Sequence, residues 1–340
     1  MLRRSLILAA VLALPFVAAA QNERHFTFHY AFTVKNLPAG QPVRIWFPLA
    51  HSDAYQSVKV LSQDGDLKLR ETTETEYGNT MLFAEEAKTS RSEYHFAVDY
   101  DVLRREHVVL LNGKLAPHTR PERVPPLQLA RFLEPDRLVP TTGLPARLAV
   151  EQTRNATSEL DKAHAIYDYV FTTMRYDKAG TGWGHGDTLW ACDSKRGNCT
   201  DFHSVFISMA RSQHIPSRFE IGFPLPADKH AAEIPGYHCW TEFYLDQTGW
   251  VPIDISEAWK HPEKHDYFFG AHDVNRVQFT MGRDLKLSPA QAGAPLNYFI
   301  YPYVEVEGKE YANVSIEFSF RDGDAPAPAS TGATVTKTGE

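Results

Sequence analysis

The sequence predicts an α+β protein: an N-terminal β-sandwich, then a domain in which helices come first and an antiparallel sheet follows. Three observations carry this. Apolar residues alternate with period two through much of residues 25–104. Helical repeats follow between Ser158 and Gln213, and five strand-like runs come after them. Strands, then helices, then strands, without βαβ alternation, is the α+β pattern.

In chain order, "MLRRSLILAAVLALPFVAAA" has basic Arg3 and Arg4, an apolar stretch from Leu6 to Val17, and Ala18-Ala19-Ala20 before Gln21. This reads as a secretory signal peptide (residues 1–20) cut near Ala20, too short to be a membrane span. The expectation is a periplasmic or secreted protein with no membrane span in the mature chain. The length of 340 residues suits two domains. Net charge is −7, and −9 once Arg3 and Arg4 are removed. A mildly acidic chain without basic runs excludes a nucleic-acid partner.

Residues 21–110 are assigned to the sandwich. Phe26, Phe28, Tyr30, Phe32 and Val34 alternate with polar residues, as do Val43-Ile45-Phe47 and Tyr94-Phe96-Val98-Tyr100-Val102. Such strands have one buried and one solvated face. Residues 111–145 contain seven prolines and read as a linker or an ordered crossing strap. Residues 146–321 form the second domain, and 322–340, rich in Ala, Pro, Ser, Thr and Gly, read as a disordered tail. Within the second domain, Leu160, Ala163, Tyr167, Val170 and Met174 recur at helical spacing, with Ser158 as N-cap.

The chemistry concentrates at "RGNCTDFHSVFISMA". Phe202, Val205, Phe206, Met209 and Ala210 mark one face of a helix; Gly197-Asn198 and Asp201 mark its start. Cys199 then sits in the first turn, off the buried stripe, where free N–H groups and the helix dipole favour a thiolate. Only Cys192, Cys199 and Cys239 occur, so at least one thiol is unpaired. A nucleophilic thiol needs a base, and the base an orienting group. "GYHCWTEFYLDQTGWVPIDIS" offers His238 at the start of one strand and Asp254 at the end of the next. A three-residue loop ending at Gly249 puts both on one face but pairs Asp254 with Glu242; a longer loop or a bulge must close the remaining gap. The fifteen histidines form no HExxH array, and neither a metal nor another cofactor is expected.

"GNCTDFHSVFISMARSQHIPSRF", "GYHCWTEFYL" and "GWVPIDIS", in that order, resemble the transglutaminase-like superfamily, and "RIWFP" at Arg44–Pro48 resembles the leading β-domain of its bacterial members. The resemblance implies a papain-like fold with Cys199 as nucleophile, His238 as general base and acid, and Asp254 as its orienter. It implies acyl transfer from amide or peptide bonds through a thioester, with protein, peptide or peptidoglycan-peptide substrates. Hydrolysis is preferred to transamidation, because no amine-acceptor site or calcium loop is evident. Family members often place an oxyanion donor upstream of the cysteine; Trp190 is the candidate here, beside the Cys199 N–H.

Blander readings accompany these. Cys199 could be a packed small hydrophobe, and Asp254 a cap for "ISEAWK". His203 reads as a helix-surface or packing residue, Trp240 as core, and Trp183, Gly184 and Gly186 as cleft wall. Strand alternation turns Cys239 away from His238. A Cys192–Cys239 disulfide that spares Cys199, a Cys192–Cys199 bond that blocks it, and free thiols all remain open. The alternative to an enzyme is a retired scaffold on the same fold, and oligomeric state is undetermined by sequence.

Overall fold

The structure, a computed structural model, describes residues 22–117, 119 and 122–323, and the backbone of 335–336. The leader (1–20), its cleavage point and most of the expected tail lie outside the described residues. The first part is strand only: β1 (Glu23–Val34), β2 (Val43–Pro48), β3 (Gln56–Gly65), β4 (Arg70–Thr73), β5 (Thr80–Glu86) and β6 (Tyr94–Arg105). Short β7 (His107–Val108) and the hairpin of β8 (Leu110–Leu111) and β9 (Lys114–Leu115) follow. Next come α1 (Pro126–Leu129), α2 (Leu144–Gln152), α3 (Glu159–Thr173), β10 (Arg175–Tyr176), α4 (Thr188–Ser194), β11 (Arg196–Gly197) and α5 (Cys199–Ser212). Then come β12 (Ser217–Pro224), β13 (Ala231–Glu233), β14 (His238–Leu245), β15 (Gly249–Ile253) and α6 (Ile255–Lys260). Finally β16 (Ala271–His272), β17 (Arg276–Met281), β18 (Tyr303–Val306), β19 (Lys309–Glu310) and β20 (Val314–Asp322) complete the set used below.

The period-two strands build a sandwich. One sheet runs β13-β20-β1-β6-β3 and the other β19-β18-β2-β5-β4. Phe26 to Val34 in β1 and Tyr94 to Val102 in β6 are buried at every second position, as their alternation dictates. The Phe32 ring packs 4.9 Å from Phe47 across the sandwich and 5.0 Å from Phe96 beside it in the same sheet. Two of the closing strands belong here too. β20 pairs with β1 (Tyr30 opposite Phe318), and β18 with β2 (Trp46 opposite Tyr303). The sequence grouping had placed 303–306 and 314–321 in the second domain. Alternation reports that a strand has one buried face, not which sheet it joins. The tail boundary also shifts: Asp322 is the last residue of β20 and pairs with Arg24 at 2.9 Å.

The second sheet layer, β15-β14-β12-β17, is antiparallel and receives α5 on one side. Phe206 of α5 meets Phe243 of β14 at 6.0 Å between ring centres. The amphipathic pattern predicts one buried face for α5, yet every residue from Cys199 to Arg211 is buried. The polar face is covered by α2, α3 and α4 and by residues 134–140 of the proline-rich segment, which cross it as a strap. Its Asp136 and the Glu134 carbonyl accept from Arg211 Nη1 at 2.7 and 2.6 Å, and Ser208 Oγ donates to Pro140 O. Hydrogen bonding along that face is what lets a polar stripe be buried. The core is continuous between layers, with Phe28 of the sandwich 5.1 Å from Phe223 of β12 and 5.7 Å from Phe279 of β17. Among the described residues, no helix is long and apolar enough to cross a membrane.

Candidate active site

Helix α5 begins at Cys199 because its first turn is capped twice. Asn198 Oδ1 accepts from Thr200 N at 2.9 Å, and the Asp201 carboxylate accepts from Asn198 N at 2.9 Å. That carboxylate also accepts the amides of Gly184 (2.7 Å) and Gly186 (2.9 Å), tying the Gly-rich loop to the helix start. Gly197 must be glycine: φ is +150°, and a Cβ there would lie 2.2 Å from Asp201 Oδ2. The sequence marked Asp201 only as a first-turn acid; its role as loop anchor depends on contacts fifteen and seventeen residues upstream. Asp201→Ala leaves three buried N–H groups without an acceptor, each worth about 1–3 kcal/mol. A drop in denaturant midpoint with loss of protease resistance around residues 180–187 is the expected readout; an unchanged midpoint contradicts the anchor.

The β14–β15 hairpin positions the other two residues. Leu245 pairs with Gly249 and Thr241 with Ile253, so the loop is Asp246–Thr248. It ends one residue earlier than the sequence reading placed it. Continued by one step, that register sets Asp254 level with Trp240 rather than Glu242, two residues from His238 and on the same face, and no bulge is needed. His238 Nε2 lies 2.7 Å from Asp254 Oδ2. The Cys199 thiol acts on the same ring and favours its charged form. The structure thus brings Cys199, His238 and Asp254 together; they are 2 %, 4 % and 0 % exposed.

Asp254 does two jobs at once. Oδ1 caps α6, accepting from Glu257 N at 3.0 Å and Ser256 Oγ at 3.1 Å; Oδ2 takes His238 and Arg276 Nη1, the latter at 3.0 Å. The capping and orienting readings of this residue are therefore compatible. Arg276 was not singled out from sequence, although an arginine opening the apolar run "RVQFT" is a signal of a buried partner. Its guanidinium lies over the Trp240 ring at 4.8 Å, and Trp240 is core, donating to Glu220 Oε2 at 2.7 Å. Tyr237, just before His238, was also missed; its hydroxyl meets Thr200 Oγ1 at 2.9 Å and Asn198 Nδ2 at 3.0 Å, bracing the helix start.

Charges in the group follow from these contacts. Burial opposes a charged imidazole at His238, but the Asp254 charge and hydrogen bond, with the Cys199 thiol, push its pKa up to about 10. Burial likewise opposes a Cys199 thiolate, but hydrogen bonds from Cys239 and His238 and the His238 charge outweigh it and hold the thiol well below its usual value. Against burial, His238 and Arg276 hold Asp254 well below the ordinary carboxylate range. All three directions favour the thiolate, imidazolium and carboxylate forms.

The neighbours of Cys239, Cys192 and Trp190 are also defined. Cys239 does alternate away from His238, but that face carries α5, so its sulfur meets Thr200 Oγ1 at 3.6 Å, His203 Nδ1 at 3.9 Å and the Cys199 thiol. The Cys192–Cys239 disulfide is absent, and so is a Cys192–Cys199 bond: all three cysteines are free, because Cys239 is engaged by α5 while Cys192 belongs to α4. The Trp190 indole nitrogen, the proposed oxyanion donor, sits 2.5 Å from where a Gly182 Cβ would be, with Arg196 over its ring at 5.7 Å; neither neighbour belongs to the group above. Gly184 and Gly186 do line the helix start, and Trp183 Nε1 donates to Gly180 O at 3.0 Å.

His203 is buried, not a surface residue. Its Nε2 accepts from Ile255 N at 3.1 Å, and burial lowers its pKa to about 4. A depressed folded-state pKa stabilises above the unfolded value of 6.5 and is lost as pH falls toward 4, worth roughly 3 kcal/mol for this one group. His203→Gln keeps an acceptor for Ile255 N and removes the titration. Denaturant midpoints measured across that window should fall less steeply in the variant; parallel curves contradict the assignment.

Comparison with known proteins finds relatives in sequence and in fold. An uncharacterised protein of Haemophilus influenzae is 29% identical over 317 residues, 83% of this chain and 85% of its own. The uncharacterised protein YebA of Bacillus subtilis is 26% identical over 137 residues, 35% of this chain and 19% of its own. A Cytophaga hutchinsonii structure, described as a candidate cysteine protease, superposes with a TM-score of 0.58 at 16% identity over 90% of this chain and 92% of that one, a likeness of fold. Residues 146–255, which hold Cys199, His238 and Asp254, match the transglutaminase-like superfamily, so this part of the chain is a transglutaminase-like domain.

Proposed function

We propose that this chain is an exported cysteine enzyme that cleaves amide or peptide bonds, with Cys199 as nucleophile, His238 as acid and base, and Asp254 as the residue that orients His238. The observation that supports it most is the buried His238 ring held 2.7 Å from the Asp254 carboxylate, with the buried Cys199 thiol raising its pKa. The Cys199 thiolate adds to the carbonyl carbon. The His238 imidazolium gives its proton to the departing amine, leaving a thioester on Cys199. Neutral His238 then takes a proton from water, whose oxygen displaces the thiolate and releases the acid. An amine in place of water gives transamidation; hydrolysis is the preferred outcome because water needs no binding site. The N–H of Cys199, at the first position of a helix, has no acceptor within the helix and is placed to receive the developing oxyanion.

Export rests on the leader sequence, and the substrate class on protein, peptide or peptidoglycan stem. The test is digestion of a secreted proteome and of peptidoglycan by the parent chain and by Cys199→Ala. New amine termini with the parent alone support hydrolysis, and isopeptide links alone support transfer. Neither product with the parent overturns the enzyme reading.

A further inference from the structure

On the face of β14 turned away from α5, three buried side chains from separate strands converge. His107 of β7, Glu242 of β14 and His272 of β16 are 4 %, 3 % and 0 % exposed. One nitrogen or oxygen atom from each lies within 4.8 Å of the others. The acyl-transfer chemistry uses none of them. His107 and His272 stand directly opposite one another in the β7–β16 ladder, so their rings leave the same face, with centres 6.2 Å apart.

His272 carries the argument. Its Nε2 lies 3.0 Å from the Ile253 carbonyl oxygen, which can only accept, so the proton is on Nε2 and Nδ1 holds a lone pair. Nδ1 is buried and has no hydrogen-bond partner among the described residues. Buried polar atoms are almost always satisfied, and an orphan among them calls for an explanation. A histidine that donates one ring N–H to a backbone carbonyl and keeps the other nitrogen free is how a metal-bound imidazole is held.

The other two residues fit the same ion. Glu242 Oε2 is fixed by Arg218 Nε at 2.9 Å, while Oε1 stands 3.2 Å from His107 Nδ1. Donor atoms bound at about 2.1 Å around a tetrahedral ion are about 3.4 Å apart, close to that separation. Of the nearby guanidiniums, Arg276 pairs with Asp254 and Asp273, Arg218 is shared between Glu220 and Glu242, and Arg104 donates to Gln56 Oε1 at 3.3 Å. Two imidazoles and one carboxylate are a donor set for zinc-type divalent ions.

We infer that His107, Glu242 and His272 form a binding site for a zinc-class divalent cation, a metal staple that joins the strand leaving the sandwich to the sheet carrying the triad. Because His272 also holds the Ile253 carbonyl, the staple braces the residue just before Asp254. No local motif betrays it, since its ligands lie 135 and 30 residues apart in the chain.

Cobalt(II) alone, titrated into the full chain bearing Cys199→Ala, tests this without competition from that thiolate. The expected result is one equivalent bound, with visible d–d bands and a raised melting temperature. His107→Asn and His272→Asn in that background should weaken binding about tenfold or more. His95→Asn, on the exposed surface, should leave it unchanged. Should a histidine variant fail to fold, the parent alone decides: no bands and no rise in melting temperature overturn the site. Binding undiminished in both folded histidine variants overturns it equally.

Discussion

At mildly acidic pH, iodoacetamide should alkylate one thiol per chain, Cys199, and neither Cys192 nor Cys239. Burial raises the pKa of Cys192, and burial with the neighbouring Cys199 raises that of Cys239, so both stay protonated and unreactive. Cys199 is held as a thiolate by hydrogen bonds and by the charge of His238, despite its burial. In His238→Ala the His238 charge and hydrogen bond vanish, while burial and the Cys239 hydrogen bonds remain. The Cys199 pKa should then rise to the ordinary thiol range or above, cutting alkylation on the order of a hundredfold at mildly acidic pH. Amide hydrolysis should fall by at least 10³-fold, since the variant also lacks the acid for the leaving amine. The pH profiles of the parent should separate the two roles. Hydrolysis needs protonated His238 and should decline as pH rises through about 10, while alkylation needs only the thiolate and should persist. Equal labelling rates in parent and His238→Ala at acidic pH would sink the ion-pair account.

Asp254→Ala should be the most destabilising single change at the site. It leaves the imidazolium of His238 and the guanidinium of Arg276 without their shared buried carboxylate, and α6 without its cap. Breaking a buried pair from one side costs about 3–5 kcal/mol, and losing a cap adds about 1 kcal/mol. Asp254→Asn keeps an oxygen for the Glu257 N–H but cannot serve as counter-charge to the imidazolium. It should melt closer to the parent yet lose activity on the order of 10⁴-fold, with the His238 pKa falling back from about 10. Chemical denaturation and a hydrolysis assay on both variants separate the cap from the orienting role. An alanine variant as stable as the parent, or an asparagine variant as active, contradicts the dual assignment.

Much of this was legible because its physics is local. Alternation in Phe26–Val34 and Tyr94–Val102 is a property of each strand, and those residues are buried as the pattern requires. Asn198 as N-cap and Cys199 at the helix start follow from residues in immediate succession. What lay beyond reach depended on partners distant in sequence. β20 joins β1 across nearly the whole chain. The hairpin register, one residue of loop away from the sequence reading, decides whether Asp254 comes level with Glu242 or stands beside His238. Cys239 was assigned to the face away from His238, yet only the docking of α5 shows that this face holds the other sulfur.

The sequence by itself determined the segments, their periodicity and the three chemically active residue types, because each is set by neighbours within a turn or a strand. Tertiary structure alone decided which sheet each closing strand joins, that Arg276 shares Asp254 with His238, and that His107, Glu242 and His272 meet. The physical reason is that burial and electrostatic pairing act over a few ångströms of space, and a chain folded into packed layers brings residues to that distance without regard to their separation along it.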